Sequence, residues 1–359
     1  MRASAARQPT TDNRQPGSNS WFSAALLPWY REQHRPLPWR ATKDPYRIWL
    51  SEVILQQTRV DQGLAYWQRF VRKYPTVKDL ASAPEGDVLK LWQGLGYYSR
   101  ARNLLTAARQ VVHDFGGAFP STHAELLKLK GVGDYTASAI ASICFGQPDA
   151  VVDGNVYRVL ARAFGIDTPI DSTEGRKRFK ELAQELIPTD HPGDHNQAVM
   201  ELGATVCTPK NYTCLLCPLQ ARCVAFATGR IDELPVKTGS TKTRDRYFNY
   251  LHIRKGQGLY MRQRTGKDIW QGLWELPLVE SAAPLGPNEL LARLGKGWHV
   301  RAQGEEVKHV LSHQVIRAVF WEVVPPKGFR VPDDQRMVDG SRLHDLAVPK
   351  LIERFLKTR

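Results

Sequence analysis

The chain has 359 residues, enough for two domains at roughly 150 residues each. Its 42% hydrophobic and 24% charged composition excludes wholesale disorder, and no apolar run approaches the ~18 residues that a membrane helix needs. Fifty Lys and Arg against 36 Asp and Glu leave a net charge of +14, which favours a polyanionic partner, nucleic acid above all, and five cysteines are too few and too odd for a disulfide scaffold.

Residues 1–20 carry Arg2, Arg7 and Arg14 among Gly, Ser and Pro without an apolar core, so a disordered tail is expected there and not a secretory signal. From 21 to 231 the chain reads as helices. Trp67, Phe70, Val71 and Tyr74 repeat at i, i+3, i+4, i+7, and so do Val156, Val159, Leu160 and Ala163. Thr122 with Glu125 predicts a capping box. Residues 232–246 turn to Pro, Gly, Thr, Ser and Lys without a period and read as a linker. Beyond it, 247–359 reads as an α+β domain. A hairpin is expected between Tyr247–Ile253 and Leu259–Met261, with a second strand pair at Val307–Leu311 and Gln314–Val324. The chain should close on an amphipathic helix around Leu351, Ile352 and Phe355.

Four features carry chemistry. Cys207, Cys214, Cys217 and Cys223, within the loop 207–223, are spaced C-x6-C-x2-C-x5-C and can surround one metal centre; zinc and a [4Fe–4S] cluster both fit that spacing. Cys144 stands apart on a small-residue helix and reads as a core residue. The hairpin Gly131-Val132-Gly133 lets backbone N–H groups approach a phosphate at the next helix, or serves only the turn. Glu52 sits among Trp49, Val53, Ile54 and Leu55, where desolvation would keep a carboxyl protonated. Asp153 precedes a helix whose N-terminal donors would keep it ionised. A protonated acid with an ionised one is the pair that glycosidic-bond cleavage requires. Plainer readings exist for both: a surface glutamate on an amphipathic helix and an N-capping aspartate.

Taken together, these residues resemble a known family. The hairpin, the aspartate and the four-cysteine loop follow the order found in helix-hairpin-helix DNA glycosylases. Within that superfamily Ser51-Glu52-Val53-Ile54-Leu55-Gln56-Gln57-Thr58, Gly94-Leu95-Gly96-Tyr97-Tyr98-Ser99-Arg100-Ala101-Arg102 and Val152-Asp153-Gly154-Asn155-Val156 closely resemble the adenine DNA glycosylases, the MutY family. The likeness is dense from Trp21 to Arg230 and fainter through the C-terminal domain. It implies an all-helical glycosylase domain with a [4Fe–4S] loop, followed by a nudix-like α+β domain.

What the resemblance implies is a monofunctional enzyme that removes adenine mispaired with 8-oxoguanine, or guanine, from double-stranded DNA. Glu52 would protonate adenine N7 and handle the attacking water, while Asp153 would stabilise the oxocarbenium-like sugar. Tyr135 replaces the lysine nucleophile of endonuclease III-type relatives, and with Asn155 would position the site. Trp39, Arg40, Leu55 and Val60 resemble adenine-pocket walls, Gln57 and Tyr97 the wedge beside the lesion, and Gln197 a contact to adenine. Gly131, Val132 and Gly133 would hold the DNA phosphate. Leu311-Ser312-His313 stands where the family commonly has Phe-Ser-His to inspect 8-oxoguanine. No nudix box is visible; Trp274-Glu275-Leu276-Pro277 is only a fragment-like echo, so lesion recognition is expected of this domain, not pyrophosphate hydrolysis. A monomer without a membrane partner is expected, cytoplasmic and nucleoid-associated if the chain is bacterial. A non-catalytic lesion binder, a bifunctional glycosylase/lyase and a nudix-type hydrolase are the alternatives.

Overall fold

Apolar residues at three- and four-residue spacing carry the first part of the chain into helices. The computed structural model describes residues 20–239 and 243–358. The expected tail lies outside the described residues except for Ser20, which opens the first helix. In chain order the helices are α1 (Ser20–Gln33), α2 (Pro45–Leu55), α3 (Val60–Lys73), α4 (Val77–Ala81), α5 (Glu85–Trp92), α6 (Ser99–Asp114), α7 (His123–Leu126), α8 (Asp134–Phe145), α9 (Gly154–Phe164), α10 (Thr173–Leu186), α11 (Pro192–Thr205) and α12 (Val224–Ala227). No strand occurs among the described residues before Arg244. No helix among them is long and apolar enough to cross a membrane.

The chain divides into two compact units that do not follow its linear halves. The first gathers residues 20–45, 121–127 and 132–238. Its core is built from Phe22, Leu26 and Tyr30 of α1, Val156, Val159 and Leu160 of α9, Phe179 of α10 and Leu202 of α11. Burying each such side chain stabilises by roughly 1.5–3 kcal/mol. Helix α8, built of Ala, Ser and Ile, is buried almost all round, and Gly146 closes it in the left-handed region at φ +68°. Thr122 caps α7 by accepting from Glu125 N, while its hydroxyl donates to the Glu125 carboxylate. Part of the expected linker is docked on this unit. Leu234 is buried, Val236 O accepts from Ile170 N at 3.0 Å, and Thr238 N donates to Asp171 at 3.1 Å. The apolar Leu234, and the Arg162 guanidinium that captures the Ile231 and Leu234 carbonyls, explain that docking. Residues 240–242 of the linker lie outside the described residues.

The second unit takes residues 46–120, 128–131 and the described residues from 239 to the C-terminal end. Its helical part packs Trp49, Trp67, Phe70, Leu80, Trp92 and Leu104 inward, with the Phe70 and Trp92 rings edge-to-face at 5.8 Å. Its strands are β1 (Arg244–His252), β2 (Arg254–Lys255), β3 (Gly258–Gln263), β4 (Trp274–Glu275), β5 (Leu278–Ser281), β6 (His299–Gln303), β7 (Val307–Val310), β8 (Gln314–Val324) and β9 (Gln335–Asp339), with helices α13 (Pro287–Leu294) and α14 (Lys350–Lys357). One sheet runs β5-β1-β8-β6 with β7 also on β8; the other runs β2-β3-β4 with β9 on β3. The β7–β8 pair and the closing helix stand where the periodicity places them.

The first hairpin is shorter than expected. Only Arg254↔Leu259 and Lys255↔Gly258 pair as β2–β3, while β1 turns to β8 in parallel and to β5. The second half of β1 is buried on both faces, as a central strand beside a parallel neighbour requires, so it cannot serve as one arm of a solvated hairpin. Beneath it, Glu275 is fully buried and takes Arg264 at 3.0 Å, Arg262 at 3.0 Å and the Tyr250 hydroxyl at 3.0 Å. Trp274-Glu275 is thus a structural strand locked by ion pairs.

Candidate functional site

In the first unit, Val151 and the start of α9 hold Asp153 as the helix N-cap. Its Oδ1 accepts from Asn155 N at 2.9 Å and Val156 N at 2.8 Å, and its Oδ2 accepts from Asn155 Nδ2 at 2.9 Å. Arg158, one turn on, donates to Asn155 Oδ1 at 2.8 Å, Gly203 O at 2.6 Å and Cys207 O at 2.6 Å. Burial pushes the Asp153 carboxyl above the ordinary aspartate range, against the pull of the Val156 and Asn155 amides and the Arg158 charge. The sequence reading expects a permanent anion here; burial alone works against one. A cation arriving beside the carboxylate would lower that pKa again. Gly203 lies under this corner. A Cβ there would stand 2.6 Å from Asn155 Cβ, which no real pair tolerates.

Tyr135, in the first turn of α8, directs its hydroxyl to Met200 Sδ at 3.3 Å. Gln197 lies one turn before Met200 on α11 and is half-buried. Trp39 is buried and Arg40 half-buried. Arg40 Nη2 donates to Glu201 at 2.7 Å, and Arg35 adds its backbone N, Nε and Nη2 to the same carboxylate at 2.6–2.9 Å. Glu201 is fully buried; burial raises its pKa, but the bonds from Arg35 and Arg40 outweigh that and hold it down at about 2. Met200 and Glu201 escape sequence reasoning because an i+3, i+4 position on a helix face has no signal until its partners are known.

The four cysteines of the loop line one small cavity with Arg162, Phe226 and Ile231. Arg162 Nη1 reaches Cys207 Sγ at 3.4 Å, and Cys223 Sγ donates to Arg162 O at 3.4 Å. Burial pushes the Cys217 thiol up to about 12 and raises Cys214 and Cys223 as well. Among the described residues no group of three or more His, Cys, Asp or Glu stands arranged to hold a single metal ion. The donor set of four soft thiols around one cavity, with an arginine at its edge, nevertheless fits a thiolate-bound centre. Ahead of α8, Gly131 adopts φ +78°, Val132 is buried, and Gly133 leaves open space where a side chain would stand.

In the second unit, α2 buries Glu52 beside Ser51, Val53 and Ile54. The plain reading of Glu52 as a surface residue fails. Helix α2 ends at Leu55, half-buried, and Gln57 turns outward at φ +54° before Val60 opens α3. Arg100 from α6 closes that end, donating to the carbonyls of Val53 at 2.9 Å, Ile54 at 3.0 Å and Gln56 at 2.6 Å. A cation at a helix C-terminus satisfies orphan carbonyls and the helix dipole together. Burial lowers the Arg100 pKa to about 10, which still leaves it charged at neutral pH.

Tyr97, at φ +46° between Gly96 and α6, is 44% exposed and bonds through its hydroxyl to the Ser312 hydroxyl. Gly94 and Gly96 supply the left-handed backbone that presents it. Ser312 and His313 are exposed in the turn between β7 and β8, which Leu311 N closes on Gln314 O at 2.8 Å. Between these segments lies a cleft of about 420 Å³, within the size range of small-ligand sites. Its walls include Tyr97, Ser99, Trp270, Leu311, Ser312 and His313. Glu52, Leu55, Gln57, Val60, Tyr97, Ser312 and His313 thus belong to one unit, and Asp153, Asn155, Tyr135, Gln197, Trp39, Arg40 and the cysteines to the other.

Comparison with known proteins agrees with the fold. Residues 50–188 match the HhH-GPD superfamily of base excision DNA repair proteins, and residues 249–358 match a NUDIX domain. The chain is 46% identical to the human adenine DNA glycosylase, matching 94% of this chain and 73% of the human one. It is 31% identical to that of Buchnera aphidicola subsp. Baizongia pistaciae, over 81% of this chain and 83% of the relative. A solved thermostable thymine-DNA glycosylase, 31% identical, superposes with a TM-score of 0.53 over 58% of this chain and 95% of its own. The chain therefore belongs to the adenine DNA glycosylase family, as a base excision repair glycosylase whose HhH-GPD region is followed by a NUDIX-like domain.

Proposed function

We propose that the chain hydrolyses the N-glycosidic bond of adenine lying opposite 8-oxoguanine, or guanine, in duplex DNA, and that it leaves the strand uncut. The observation that carries this is Asp153: a half-buried carboxylate whose donors all come from its own helix start, with Arg158 pulling towards the charged form against the larger effect of desolvation. Adenine inside a duplex is out of reach, so the nucleotide is turned out at a cost of a few kcal/mol. Tyr97 and Gln57, both on left-handed backbone, are the groups to fill the vacated stack, and the Gly131–Gly133 hairpin is the phosphate grip.

Glu52 then gives its proton to adenine N7. The C1′–N9 bond breaks with its electrons on the purine, which leaves neutral, and positive charge builds on the sugar beside Asp153. Water adds to C1′ and its proton returns to Glu52. Asn155 holds Asp153, and Arg158 holds Asn155. Tyr135 carries no amine, so no Schiff base forms and no β-elimination follows. Cys207, Cys214, Cys217 and Cys223 would hold a [4Fe–4S] cluster, which supplies a brace for their loop, and the hydrolysis does not pass through it. Ser312 and His313 would read the lesion opposite adenine. The protein acts as a monomer on this reading.

The test is single-turnover adenine release. Glu52→Gln should bind duplex with unchanged affinity while excision falls by about 10²–10⁴-fold, the usual worth of general acid catalysis. Excision at the wild-type rate by a folded Glu52→Gln chain would refute the role of Glu52.

A further inference from the structure

One wall of the cleft in the second unit has no role in the reading above. Trp270, in the loop between β3 and β4, adopts φ +59°, a region that bulky residues rarely enter. Such a backbone persists only where its surroundings hold it, and it marks functional positions. Here the holding groups are explicit. Arg264 donates to Ile269 O at 3.0 Å and to Asp268 at 2.8 Å, Arg246 grips Asp268 at 2.7 Å, and Leu273 N closes on Trp270 O at 3.0 Å. Arg102, from α6, donates to Gln271 O at 2.6 Å. The indole is wedged edge-to-face against Phe248 at 6.1 Å and against the His309 ring at 5.7 Å. The acid and bases next to it are thus spent on each other, and Trp270, 8% exposed, lines the cleft as an apolar residue among them. Tyr97 and Ser312 also line the cleft with hydroxyls, and Leu311 beside them is aliphatic.

We propose that Trp270 is a specificity-determining residue: its indole is the surface against which the oxidised purine opposite adenine is seated while Ser312 and Tyr97 address its polar edge. A flat ring with hydrogen-bonding edges suits a cleft with one aromatic wall and hydroxyls at its rim. This rests on the reading of the cleft as the lesion-reading site, and the test separates the two.

The measurement is the ratio of duplex affinities, adenine·8-oxoguanine over adenine·guanine, by fluorescence anisotropy on the full chain. Trp270→Ala should narrow that ratio about tenfold, the order of discrimination lost with one contact to a base edge that the wall no longer seats, and Trp270→Phe should restore most of it. Should Trp270→Ala fail to fold, Trp270→Leu at a melting temperature equal to wild type decides instead. An unchanged ratio in a folded Trp270 variant, alongside a narrowed ratio in Ser312→Ala, overturns the assignment and leaves the cleft reading standing. A wild-type chain that binds both duplexes equally overturns the cleft reading and this inference with it.

Discussion

The corner around Asp153 and the loop around Tyr97 are assembled in opposite ways. Asp153 finds its partners two and three residues on, at Asn155 and Val156, and Arg158 is only five away. Tyr97 meets Ser312 from across 215 residues of sequence, and Arg100 reaches back more than 40 residues to close α2. A carboxylate that must keep one geometry is built from its own helix start, where little chain entropy stands between the partners. The presenting loop is stitched by distant segments, so its geometry depends on the whole unit being folded.

Four substitutions would break or sharpen that contrast. Asp153→Asn has the largest expected effect: asparagine caps a helix about as well as aspartate, so the melting temperature should hold while adenine release falls by about 10²–10³-fold. A large loss of melting temperature would show that the corner is not locally sustained. Glu201→Gln comes next, at about 3 kcal/mol of stability, because it removes the buried carboxylate that pairs the half-buried Arg40 and the partly exposed Arg35. Since the folded pKa of Glu201 is depressed to about 2, its contribution is present above the unfolded glutamate value near 4.3 and fades as pH falls towards 2. Thermal melts between pH 6 and 2 should therefore converge for the two chains at the acid end; a constant gap would contradict this.

Arg100→Met should cost about 1–3 kcal/mol, the penalty for buried carbonyls left without a donor. Chemical denaturation would measure it, and hydrogen exchange should show α2 fraying at Ile54 to Gln56. Protection there equal to wild type would mean that Arg100 does not cap that helix. Tyr97→Phe should have the smallest effect, below about 1 kcal/mol in stability, because its hydrogen bond to Ser312 is exposed to solvent. A larger loss would place that contact among the elements holding the sheet and helical parts of the unit together.

Much of this molecule was legible residue by residue. The stripes Trp67–Phe70 and Val156–Leu160 are buried as their periods require, and Asp153 caps a helix as its residue type and position suggest. The four cysteines gather round one cavity, as their spacing in a short loop demands. Glu52 was the ambiguous one: three- and four-residue spacing around it fits a surface or a core, and only the packing of α2 buries it. The hairpin after Tyr247 misled because alternation shows that a strand forms without showing which strand accepts its hydrogen bonds; the partner, β8, lies 70 residues on.

What the amino-acid sequence determined, then, is everything whose partners lie within a helical turn or a short loop: helix faces, caps, the thiol cluster and the motifs that carry the family likeness. Only the tertiary structure decided that Glu201 would neutralise Arg35 and Arg40, that Arg100 would close α2, and that Trp270 would be held on a left-handed backbone at the wall of a cleft. The physical reason is the same in each case. A buried charge or a strained residue costs free energy that no neighbour in sequence can return, so its place becomes readable only once distant groups supply the compensating bonds.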